Sequence, residues 1–262
     1  MSSTPDPWSA LRAHTAARIA LGRAGVSLPT AEWLRFAQAH ALARDAVHAP
    51  FDALALADEA ALQDFDCTVV ESAAPDRAGY LRRPDLGRRL SPRSAALLAA
   101  WQRPACDLAV VVADGLSAQA AQRHALPLLL ELRPRLEAQG ASVAMHLGPV
   151  LLARQARVAL GDEVGGLLRA RAVLVLIGER PGLSSPDSLG AYLTWAPRPG
   201  RSDAERNCVS NIRPQGLACG EAARKIAWLL GAARRLGGTG VALKDESDQP
   251  ALAGAPCRTI EG

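Results

Sequence analysis

At 262 residues, with 49% hydrophobic and 21% charged positions, the chain has the balance of a globular protein that buries a real core, which excludes disordered and fibrous classes. Five cysteines, odd in number, widely spaced and never in a C-x-x-C pair, exclude a disulfide framework or a zinc module. A net charge of +4 is scattered, apart from one arginine concentration at 81–89 with no aromatic platform or recognised motif, so an acidic protein partner fits better than nucleic acid.

The start M-S-S-T-P-D-P-W has neither a basic n-region nor an apolar h-region, and a cytoplasmic protein is expected. From Asp6, a candidate N-cap followed by Pro7, a first helix is expected to run towards Gly22. Thr30 is the candidate cap of a second helix over 31–48. It places Leu34, Ala37 and Ala41 on one stripe, with His40, Arg44 and His48 on another. A third helix fits 52–65. Nothing in the first 95 residues alternates like a strand, so residues 1–95 read as a small helical N-terminal domain.

Residues 96–262 read as a second, α/β domain. The runs 107–113 and 171–177 are short, β-branched-rich and bounded by Gly and Asp, as buried parallel strands are. They are also the longest apolar runs, far short of the ~20 residues that cross a bilayer, so no membrane span is expected. Helices are expected over 117–139, 162–169 and 220–235. Further strands are expected over 141–147 and 191–196, with an edge strand at 241–244. Alternating strand and helix predicts a Rossmann-like, mostly parallel sheet. Ligands of such sheets bind beyond the carboxyl ends of the strands, here the loops at 114–117 and 178–182.

Familiar chemistry is missing from these loops. Neither G-x-G-x-x-G nor a P-loop occurs, and Gly182-Leu183-Ser184-Ser185-Pro186 lacks the second glycine of a nucleophile elbow. His40 and His48 lie eight residues apart, ~12 Å along a helix, and cannot share a metal. No histidine lies near Cys208 in sequence, so ligand contact suits this thiol better than nucleophilic catalysis. Glu179, at the end of an apolar strand, reads either as half of a surface pair with Arg180 or as a ligand contact.

Several long words in order carry a resemblance: A-R-I-A-L-G-R-A-G at 17–25, A-H-A-L-A-R-D-A-V-H at 39–48, D-R-A-G-Y-L-R-R-P-D-L-G-R-R-L at 76–90, A-D-G-L-S-A at 113–118, then R-V-A-L-G-D, G-E-R-P-G and C-V-S-N-I between 157 and 214. In these the chain resembles the small (light) subunit of ethanolamine ammonia-lyase, a carbon-nitrogen lyase. The resemblance implies adenosylcobalamin (coenzyme B12) as cofactor and conversion of ethanolamine to acetaldehyde and ammonia by a radical route. It also implies a large-subunit partner that holds the substrate, so this chain needs no catalytic acid, base or nucleophile of its own. Carried over by motif, it implies cobalamin contacts at Val158, Glu179 and Cys208 and no protein metal ligand. The D-x-H-x-x-G word is missing, which implies that cobalamin keeps its own base on cobalt. The family's range of locations includes a bacterial microcompartment. The alternative is a cobalamin-binding or assembly module without catalytic activity.

Overall fold

The Leu-Ala-Val-Val-Val-Ala run forms β2 (Leu108–Ala113), and every residue of it is buried. Such a strand needs a partner along each edge and cover on each face. The computed structural model, which describes residues 6–15, 17–102, 104–137 and 145–248, supplies both through a six-stranded sheet of order β1-β3-β2-β4-β5-β6. The other strands are β1 (Cys67–Glu71), β3 (Leu147–Arg154), β4 (Ala172–Gly178), β5 (Leu189–Trp195) and β6 (Arg206–Ile212). β1, β3, β2 and β4 run parallel, while β5 and β6 join antiparallel.

Seven α-helices are found among the described residues: α1 (Thr30–His48), α2 (Ala53–Ala61), α3 (Arg77–Arg82), α4 (Pro92–Ala99), α5 (Ala118–Glu137), α6 (Leu160–Leu167) and α7 (Cys219–Leu236). Side chains alternate across a strand, so β2 divides its residues between two cores. Leu108, Val110 and Val112 pack with Leu56 of α2, Leu128 and Leu132 of α5 and Ile226 of α7. Ala109, Val111 and Ala113 face the other way, onto Leu98 of α4 and Leu160 and Val164 of α6. Each fully buried aliphatic side chain contributes about 1.5–3 kcal/mol relative to exposure, so the two apolar layers hold the sheet between them.

The carboxyl ends of β2 and β4 meet closely. An ideal Cβ on Gly178 would lie 2.0 Å from the Ser117 carbonyl oxygen, and one on Gly115 would lie 2.2 Å from the Gly178 carbonyl oxygen. Gly115 also has φ +53°, a left-handed backbone that glycine adopts without strain. The Leu116 N–H donates to the Gly178 carbonyl at 2.9 Å, which closes the two loops against each other.

Several expectations need correction. The first 95 residues are not purely helical, because Cys67–Glu71 pairs with β3 as an edge of the sheet. The helix expected after Pro7 is only a 3-10 segment, Ser9–His14, with Asp6 accepting from the Trp8 N–H at 2.9 Å. Pro29, not Thr30, occupies the N-cap of α1, and no side chain caps it. The Leu34 stripe does not form a core face: Leu34 is 64% exposed and Ala46 is the single buried residue of α1. Residues 240–242 form a 3-10 turn in place of an edge strand. The edge is β6, whose Arg-Asn-Cys-Val-Ser-Asn-Ile sequence reads as a polar loop because one of its faces is open. Residues 141–144 of the expected strand at 141–147, and Cys257, lie outside the described residues.

Candidate functional site

Glu179 follows β4 directly. Its N–H donates to the Ser188 carbonyl at 2.9 Å, which turns residues 180–187 into a loop between β4 and β5. That loop is fixed from three sides: Ser117 Oγ donates to the Pro186 carbonyl at 2.9 Å, Arg213 Nη1 to the Ser184 carbonyl at 3.1 Å, and Arg18 Nη2 to the Leu183 carbonyl at 3.1 Å. Half-buried Glu179 therefore projects from a rigid frame. Its Oε2 accepts from Ser188 Oγ at 2.5 Å and from the Asn211 N–H at 3.3 Å. Its Oε1 has no hydrogen-bond partner among the described residues. Gly190 makes room for this carboxylate, since an ideal Cβ there would lie 2.9 Å from Oε1.

Cys208 reaches the same place through strand register. Tyr192 on β5 lies opposite Val175 on β4 and opposite Cys208 on β6, so all three share the face covered by α6. The Tyr192 hydroxyl and the Cys208 thiol share a side-chain hydrogen bond. Burial pushes the pKa of each group up, and the Glu179 carboxylate nearby pushes both further in the same direction. A thiol held protonated is a poor nucleophile, so the environment of Cys208 suits contact and not covalent chemistry.

Val158 stands at the entrance to α6, where its carbonyl accepts from the Gly161 N–H at 3.0 Å. Half-buried, it packs against the same apolar layer as Tyr192. The structure thus joins Glu179 and Cys208 in one cluster around Tyr192 and places Val158 on the same face. Arg180 makes no ion pair with Glu179, so the surface-pair reading of that carboxylate falls away. The arrangement offers an unused carboxylate oxygen, a thiol, a phenol and an aliphatic surface. These groups can grip the amide-bearing rim of a broad ligand, and because burial makes the thiol and the phenol weaker acids than usual, neither is poised for proton transfer near neutral pH. Among the described residues no group of three or more His, Cys, Asp or Glu side chains is placed to hold a metal ion. A cavity of about 300 Å³ lined by Cys106, Arg133 and His146 lies at the opposite, amino ends of the strands and contributes nothing to this cluster.

The family model described as the ethanolamine ammonia-lyase light chain (EutC) matches residues 5–244. The chain belongs to this family. It is 56% identical over 256 residues to the ethanolamine ammonia-lyase small subunit of Azotobacter vinelandii, covering 97% of this chain and 93% of that protein. The small subunit of Pseudomonas aeruginosa PAO1 is 54% identical over 261 residues, covering 98% and 94% respectively. That of Xanthomonas campestris is 57% identical over 252 residues, covering 94% and 90%. Within this light-chain framework Tyr192 is the member of the cluster that reading the sequence did not find. It carries no motif, and only the β5–β6 register reveals that it lies opposite Cys208.

Proposed function

We propose that this chain is the small subunit of an adenosylcobalamin-dependent ethanolamine ammonia-lyase and forms one wall of a cobalamin site whose substrate-holding wall belongs to the large subunit. The observation that carries the reading is the cluster of Glu179, Tyr192 and Cys208 on the face that Val158 also lines. Its donor set fits a corrin, whose rim bears amides. Glu179 Oε1 is an anionic acceptor without an internal partner, cradled where glycine at 190 leaves space for it. When bound, the cofactor supplies the radical that opens the ethanolamine C–N chemistry, which no side chain of this cluster could supply.

The chain's own residues bind and orient. Ser188 and Asn211 hold Glu179 Oε2, so that Oε1 alone points to accept an amide N–H. Burial and the Glu179 charge hold the Cys208 thiol in its neutral form, against the pull of the Tyr192 hydrogen bond, which lets it approach an apolar ring edge without the cost of desolvating a charge. Val158 adds aliphatic cover that keeps water from that edge. The place of action we propose is the cytoplasm or a microcompartment within it. No helix among the described residues is long and apolar enough to cross a membrane.

Co-expression with the neighbouring large-subunit gene tests the reading. The assembled complex is expected to release acetaldehyde from ethanolamine only with adenosylcobalamin, and neither subunit alone is expected to do so. A correctly assembled, cofactor-loaded complex without activity would refute it.

A further inference from the structure

The carboxyl ends of β2 and β3 mark the point where the chain reverses its winding. α5 follows β2 on one face of the sheet, and α6 follows β3 on the other. A crevice opens between adjacent strands at such a reversal, and ligands of open α/β sheets bind there. In this chain the crevice is crowded with guanidinium groups. Arg77 comes from α3, Arg154 from the end of β3 and Arg157 from the loop beyond it. Arg77 and Arg157 both lie on the ring of fully buried Tyr80, 4.9 and 4.4 Å from its centroid.

Negative charge does not match them. Asp114 lies 3.3 Å from Arg77 Nη1, but burial raises its pKa and so works against its ionised form. Glu71 reaches Arg154 only at 3.9 Å, and Arg157 forms no ion pair among the described residues. Arg77 Nη2, Arg154 Nε and Arg157 Nε are buried without a hydrogen-bond partner, as is Gln155 Oε1. Buried donors of charged groups left unmatched are costly, and a cluster of them in one place calls for a missing partner. A cavity of about 350 Å³ lined by His48, Phe51, Arg77, Asp114, Arg154 and Gln155 opens beside them.

We infer that this crevice binds a phosphate-class oxyanion, held by the guanidinium groups of Arg77 and Arg154. A tetrahedral oxyanion presents more acceptor oxygens, and in directions outside one plane, so it matches donors on two separate elements better than a planar carboxylate does. Arginine forks are suited to such groups. Free inorganic phosphate and the phosphodiester in the nucleotide tail of cobalamin share this chemistry, and they can be told apart.

The test uses the full chain assembled with its large subunit. In the first arm, inorganic phosphate is compared with chloride at equal ionic strength by thermal unfolding. Phosphate is expected to raise the midpoint by a few degrees in the wild type and to lose that effect in Arg154→Gln. Arg77 also donates to the Val47 and Gly115 carbonyls, so Arg77→Gln risks the fold and serves only as a second variant. In the second arm, which rests on the lyase reading, affinity is measured spectroscopically for cobalamin and for cobinamide, which lacks the phosphodiester tail. If the tail is the occupant, Arg154→Gln weakens cobalamin by about tenfold and leaves cobinamide unchanged. A wild type stabilised equally by both salts, together with no tail-selective loss, overturns the site. Wild-type complex that binds no cobalamin at all counts against the lyase reading alone, and the phosphate arm then decides the crevice.

Discussion

Asp162 on α6 and Arg206 on β6 form a bidentate ion pair, with both N···O distances 2.7 Å and both side chains 2% exposed. Arg206 also donates to Thr194 Oγ1 at 2.9 Å and to the Arg201 carbonyl at 3.0 Å, so its guanidinium is well satisfied. Asp162 lies four residues beyond Val158 and Arg206 two residues before Cys208. The pair therefore ties the helix that begins just after Val158 to the strand that carries Cys208. Removing one partner leaves a buried charge uncompensated, at a cost of about 3–5 kcal/mol. Asp162→Asn is expected to lose stability on that scale in urea unfolding, more than the exposed control Glu221→Gln. A loss below about 1 kcal/mol would show that the pair does not tie α6 to β6.

The meeting of Gly115 and Gly178 makes a second expectation. Gly178→Ala places a methyl group 2.0 Å from a carbonyl oxygen that is fixed at the start of α5, and neither backbone can give way cheaply. Overpacking of this kind costs about 1–3 kcal/mol. Because Glu179 is the next residue, the variant should also lower cobalamin affinity in the complex. Alanine at Gly238, where an added Cβ meets nothing within 4 Å, keeps the site untouched. Differential calorimetry and a cofactor titration on both variants separate the two effects.

Cys208 is expected to react slowly despite its exposure. Burial and the Glu179 charge raise the thiol pKa above its ordinary value, so at any pH near neutrality less thiolate is present than in an unperturbed cysteine. Iodoacetamide labelling followed by peptide mass spectrometry should give a lower rate at Cys208 than in a short peptide of the same sequence, rising as pH increases. Tyr192→Phe removes the hydrogen bond that favours the thiolate and is expected to slow labelling further. Labelling at the peptide's rate at neutral pH would remove the account of Cys208 given above.

Asp114 supplies the pH dependence. Its carboxyl is almost fully buried, and desolvation outweighs Arg77 and the backbone donors to raise its pKa. The folded state therefore holds this proton to higher pH than the unfolded chain, whose Asp titrates near ~3.9. Between that value and the raised folded one, the unfolded state loses its proton first, and the contribution of Asp114 to stability falls as pH rises. Asp114→Asn cannot titrate. The stability difference, wild type minus variant, is expected to decline from pH 4 upward and then level off. A difference that grows with pH would mean that Arg77 dominates and the carboxyl is stabilised as an anion.

The parallel core was legible because its signal is local. β2 and β4 are unbroken β-branched runs, and α5 and α7 are long enough that the expected spans fall within two residues of the observed ends. The edges were not. β1 is five residues long, and β6 is polar on its exposed positions, so neither shows the hydrophobic period that marks a strand. Their pairing depends on partners 83 and 16 positions away, Val150 for Cys67 and Tyr192 for Cys208, which a short local window does not reveal. Val158 was named through resemblance alone, whereas Glu179 and Cys208 stood out as ligand contacts from their own settings and resemblance supplied only the ligand. Tyr192 was missed because its role exists only in the register that sets it against Cys208.

Glu179 is the residue whose polarity should matter most to the cofactor. With Ser188 and Asn211 both donating to Oε2, the orientation of the side chain is fixed, and the group facing outward is an acceptor. In Glu179→Gln the single amide oxygen is claimed by those two internal donors, so the outward position becomes an NH₂ donor. An acceptor that carried charge is then replaced by a neutral group of opposite hydrogen-bond sense. Charge-assisted hydrogen bonds contribute about 1.5–3 kcal/mol, so the affinity of the assembled complex for cobalamin should fall by about tenfold or more. The internal bonds survive the substitution, and thermal stability and subunit assembly should stay at wild-type levels. Titration by absorbance, with gel filtration as the assembly control, checks both parts. An affinity within twofold of wild type would mean that Oε1 does not face the cofactor.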